Sequence, residues 1–129
     1  MYIKEELAEE KLLVQSYGDG GFRVAGERIE GAIIIAAKFA NKINLKSLEE
    51  LSQKNLQELL SACTVKTEKV EILLFGGGEH MSQLPIDCAK WLRQENIAFD
   101  LMNTGAAART YNVLLSENRA VAAIMMPIN

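Results

Sequence analysis

Short apolar runs, separated by polar and turn-forming stretches, recur along the whole chain. Val70 to Phe75, Ala98 to Met102 and Val121 to Met126 are brief and almost unbroken in apolar character, the pattern of strands buried in a sheet. Between them the spacing becomes helical. Pro85 suits a first helical turn, Cys88, Trp91 and Leu92 form an inward stripe, and Asn96 ends the segment. After the turn Asn103, Thr104, Gly105, a second helix is predicted from Ala106 to Glu117, burying Ala107, Tyr111, Leu114 and Leu115, with Asn118 as its left-handed cap. This β-α-β-α-β order lays helices over the faces of a sheet. Ligands in such folds bind beyond the carboxyl ends of the strands, where Gly76 to Gln83 and Asn103 to Gly105 would share one rim.

The first half reads differently. Leu13 to Tyr17, Phe22 to Val24 and the turns Gly18 to Gly21 and Ala25 to Glu27 predict a small antiparallel ribbon, because glycine supplies the positive φ of tight hairpins. Ile29 to Ala36 reads as the first strand of a larger sheet, and its consecutive Ile33, Ile34 and Ile35 predict cover on both faces. Ser47, Leu48, Glu49 and Glu50 spell a capping box, so a helix is expected from there. Leu48, Leu51, Leu56, Leu59 and Leu60 keep near-helical spacing to about Cys63, with Gln53, Lys54 and Asn55 as a point where the segment can divide. No linker or repeat interrupts the sequence, so residues 1–129 are read as one α/β domain.

Composition narrows the partners. Apolar residues are 49% and charged residues 24%, the balance of an ordinary globular chain. A net charge of −3 and a pI near 5.2 leave no cationic surplus for a phosphate backbone, so nucleic acid is not an expected partner. The longest apolar run, Ala32 to Ala37, falls far short of the about 20 residues that span a bilayer, and no transmembrane segment is expected. Met1 to Lys11 is rich in Glu and lacks the signature of a secretory or transit peptide, which makes the cytoplasm the expected address. Cys63 and Cys88 lie in helical segments without CxxC spacing and read as buried thiols.

Candidate chemistry gathers at two places. Gly76, Gly77 and Gly78 close a strand before a helix, and amides exposed there would attract a small anion such as phosphate or carboxylate. The same glycines serve equally as backbone punctuation, since they form neither GxGxxG nor a P-loop. Thr104, Gly105 and Arg109 make up the second place. Arg109 can grip a carboxylate or phosphate at two points with Thr104 capping beside it, or it can pair with Glu117, and the small residues around it also suit close packing. Asp100, about 22 residues past Gly78, stands near the distance of a ribose-binding acid in dinucleotide folds. His80 is the sole histidine, beside Glu79, and forms no metal-ligand set or nucleophile dyad. No cofactor and no metal are expected, and the catalytic residues of any enzyme remain unassigned.

At these residues the chain resembles a known family. Gly105 to Leu115 (Gly-Ala-Ala-Ala-Arg-Thr-Tyr-Asn-Val-Leu-Leu), continued by Glu117 to Ala123, is similar to the signature of a widespread family of small proteins of largely unknown function. That family includes the mitochondrial respiratory complex I assembly factor three and the adipogenesis-associated domain protein. Ile72 to Phe75 with Gly76 to Gly78, and Tyr17 to Gly31, match further blocks in the same order, so nearly the whole chain is covered. The resemblance implies an α/β fold of three layers: a mixed central β-sheet, packed helices and a small additional antiparallel β layer. Ala108 stands where a Cys is common, Asn118 where Gly is common, and Gly77 where Thr is common. The first departure weakens any thiol chemistry. What the resemblance implies for function is a non-catalytic binding or assembly factor with a protein partner. The alternative is an enzyme or sensor for a small anionic metabolite at Gly76 to Gly78 and Arg109.

Overall fold

A computed structural model describes residues 11–66, 69–80 and 82–129. The Glu-rich start of the chain, residues 1–10, lies outside the described residues. Strands β1 (Val14–Gly18), β2 (Gly21–Val24) and β3 (Glu27–Glu30) form an antiparallel sheet in the order β1-β2-β3. A second sheet holds β4 (Ile33–Ala36), β5 (Phe39–Lys42), β6 (Ile72–Gly76), β7 (Ala98–Met102) and β8 (Val121–Met125) in the order β5-β4-β8-β6-β7. It is mixed: β8 runs parallel to β6 and antiparallel to β4.

Alternation along the central strands creates two cores. Ile34, Ala36, Leu73, Phe75, Ala122 and Ile124 point to one face, where helices α1 (Gln53–Lys66) and α2 (Ile86–Gln94) bring Leu56, Leu60, Cys63, Cys88 and Leu92 against them. Ile33, Ile35, Leu74, Val121, Ala123 and Met125 point to the other. There they meet Ala107, Tyr111 and Leu115 of α3 (Thr104–Ser116) and Val14, Phe22 and Val24 of the small sheet. The three layers and the small β layer are therefore present. Every residue of β4 and β8 is buried, as two covered faces demand, and each large aliphatic side chain so placed adds about 1.5–3 kcal/mol.

Three expectations change. The run Ile29 to Ala36 is two strands, because Gly31 adopts φ +90° and turns the chain from the small sheet into the large one. Strand β5 carried no sequence signal, since Phe39 and Ala40 are half-buried and Asn41 and Lys42 exposed at a sheet edge. Ser47 caps only a 3₁₀ turn, Leu48–Glu50, accepting from the Glu49 amide at 3.0 Å, while the Glu50 carboxylate accepts from the Lys46 amide at 2.9 Å. The α-helix starts separately. Ser52 and Asn55 exchange side-chain to backbone bonds of 2.7 and 3.2 Å, and Asp87 of α2 accepts from the Gln53 amide at 2.9 Å. Gln53 to Asn55 thus open α1 rather than interrupt it, and the helix continues past Cys63.

Candidate functional site

The loops leaving β6 and β7 depart to opposite faces of the sheet, one into α2 and the other into α3. In doubly wound folds a crevice opens between two such strands and takes the ligand. Here protein hydrogen bonds occupy it. The Gly77 amide donates to Met102 O at 2.9 Å, and the Thr104 amide donates to Gly78 O at 2.8 Å. In return the Gly78 amide donates to Thr104 Oγ1 at 2.9 Å. That hydroxyl donates onward to Met126 O at 2.6 Å, and the Met126 amide to Gly76 O at 2.8 Å. Thr104 is wholly buried, so one side chain joins the ends of β6, β7 and β8.

This corrects the expected roles at the glycine turn. The amides of Gly77 and Gly78 are not exposed to an incoming anion, because each already has a protein acceptor. Thr104 is not the cap of the helix: Asn103 Oδ1 takes the Ala106 amide at 2.8 Å, and α3 begins at Thr104. Close approach favours Gly76. A Cβ there would stand 3.0 Å from Thr104 Cα, Thr104 Oγ1 and Met125 Cγ.

Arg109 belongs to a different cluster. Its Nη1 donates to the Tyr17 hydroxyl at 3.1 Å, and a Cβ on Gly105 would lie 2.9 Å from that hydroxyl and 3.3 Å from Nη1. Gly105 therefore makes room for Tyr17. Tyr17 is far from Arg109 in sequence, and no local pattern links the two. Arg109 and Glu117, the C-cap of α3, are eight residues apart, about 12 Å along the helix axis, too far for the neighbouring-turn pair.

The remaining candidates stay apart. Asp100 lies in mid-strand, exposed, and accepts from the Leu101 amide at 2.9 Å. His80 is exposed, and the Glu79 carboxylate accepts from the Asn129 amide at 3.4 Å. Among the described residues, no three His, Cys, Asp or Glu side chains gather as a metal site. The sequence reading passed over an open cleft of about 430 Å³ along the rim, between Gly31, Lys46 and Ser47 on one side and Gly78, Ser82 and Met126 on the other. Both thiols are fully buried. Burial pushes Cys63 up to about 12; burial, then the Asp87 carboxylate, pushes Cys88 up to about 11, so neither is nucleophilic at neutral pH.

Residues 14–126 match the profile of the proteins of unknown function called DUF498/DUF598. The chain belongs to that family. It is similar to two natural chains over more than nine tenths of its length. "NADH dehydrogenase [ubiquinone] 1 alpha subcomplex assembly factor 3" of Xenopus tropicalis is 29% identical over 95% of this chain and 65% of its own length. An uncharacterized protein of Rhodobacter capsulatus is 32% identical over 91% of this chain and 86% of its own. The chain thus spans slightly less than two thirds of the frog relative. A solved structure described as an outer membrane protein from Bartonella henselae superposes with a TM-score of 0.80 at 33% identity, covering 93% of this chain and 98% of that one. The solved structure shares the three-layer arrangement described above.

Proposed function

We propose that this chain is a non-catalytic assembly factor that holds a protein partner while a larger complex is built, with the respiratory NADH dehydrogenase as that complex. The observation that carries this reading is the similarity to the frog assembly factor over 95% of the chain. The chemistry of the rim is consistent with it: two turn amides have internal acceptors, and both thiols are buried. The proposed compartment is the cytoplasm. Among the described residues, no helix is long and apolar enough to cross a membrane.

Deleting the gene in the source cell is the test. Assembled NADH dehydrogenase should fall while its subunits are still synthesised, and a tagged chain should recover named subunits of that complex. Full assembly in the deletion strain would overturn the assignment.

A further inference from the structure

Helix α3 and its C-cap carry two charges that, among the described residues, take part in no ion pair. Arg109, Val113 and Glu117 recur at intervals of four along its outer side, and all three are exposed, Val113 by 55%. Each interval rises about 6 Å, so a cation and a carboxylate stand equally far on either side of an apolar centre. Among the described residues neither takes part in an ion pair; Arg109 makes one bond, to Tyr17. Glu117 also sits at the carbonyl end of the helix, where the dipole disfavours a negative charge. Asn112 of α3 bonds both the amide and the carbonyl of Val14, at 2.9 Å each, which holds the chain at Leu13, itself 44% exposed, beside the helix.

We infer that this face is self-complementary and that α3 packs antiparallel against α3 of a second copy, across a two-fold axis at Val113. Each Arg109 then meets the Glu117 of the other copy, and the two valines meet at the axis. The interface is isologous: whatever one copy offers, the other answers. Arg109 retains donors for this pair, because a guanidinium carries five and Tyr17 takes one. Leu13 extends the apolar contact on both flanks. The surface is small and its charges exposed, so the dimer is weak and salt-sensitive. This inference stands apart from the assembly reading, and its test does not depend on complex formation.

Sedimentation equilibrium of the full chain reads the dimer as concentration rises. Arg109→Glu sets two carboxylates against each other at both ends of the interface, and Glu117→Arg sets two guanidinium groups. Each single variant should raise the dimer Kd by about tenfold. The exchange variant carrying both substitutions restores opposite charges and should regain the wild-type Kd. Tyr17→Phe removes the bond to Arg109 without altering charge and should leave the dimer intact. A wild-type chain that stays monomeric at all concentrations, or an exchange variant that fails to recover, overturns the inference. So does amide-exchange protection of Leu13 and Val113 that appears only with a different protein, which would assign the face to that partner.

Discussion

Thr104 shows how much one hydroxyl can hold. Its oxygen accepts from Gly78 and donates to Met126 inside a fully buried pocket, so neither backbone group has water as a substitute. Thr104→Val should therefore destabilise the protein by about 1–3 kcal/mol for each orphaned group, whereas Thr104→Ser keeps both bonds and loses about one methyl group's worth of burial, ~0.8 kcal/mol. Denaturant titration of the two variants measures the difference. A loss for Thr104→Val no larger than that for Thr104→Ser would mean that the hydroxyl contributes no more than the methyl group. Thr104 was legible in the sequence as a residue of interest, but for the wrong reason. Its place in the turn before the Arg109 helix suggested a helix cap, and only the sheet order brings Met126 within its reach.

At the scale of elements, Asn112 ties α3 to the backbone of β1. Its side-chain amide mimics a neighbouring strand, offering an acceptor and a donor to the free edge of β1 at Val14. Asn112→Ala should cost about 1–3 kcal/mol. Amide exchange at Val14 should accelerate more than exchange in β8, since the small sheet loses its anchor while the central sheet keeps its ladders. Uniform acceleration would refute that division. Local signals located most elements: β7 falls where its apolar run predicted, and Asn96 and Asn118 take left-handed conformations at φ 59° and 63°. The misplacements have a common cause. Ile29 to Ala36 carries apolar residues on both sides of Gly31, and the turn there becomes a change of sheet only once two sheets compete for the chain. Likewise the Ser47 capping box is genuine chemistry, but Asp87 and Asn55 start the longer helix elsewhere.

For the whole molecule, the buried thiols set an alkaline limit. An exposed cysteine titrates near 9.0, while Cys88 and Cys63 in the fold titrate near 11 and 12. Between those values the unfolded chain releases protons that the native chain retains, so the contribution to stability is intact below about pH 9 and lost as pH rises towards 12. Tyr111, raised by burial, acts in the same direction. The urea midpoint should fall across this range, and a variant with Cys63→Ala and Cys88→Ala should fall less steeply; an identical slope would exclude the thiols. The α/β order was readable from apolar strands separated by helix signals, and the three layers were what the family resemblance implied. The closure of the rim was not, because it depends on bonds between Gly78, Thr104 and Met126, residues far apart in sequence.

The order β5-β4-β8-β6-β7 also bears on how the protein is made. The central position of the large sheet belongs to β8, the last of its five strands to leave the ribosome. Until then β4 and β6 have no strand between them, and their edges must wait, exposed or chaperoned, until Val121–Met125 emerges. A protein inferred to assist the assembly of others would itself pass through a vulnerable unfinished state during synthesis.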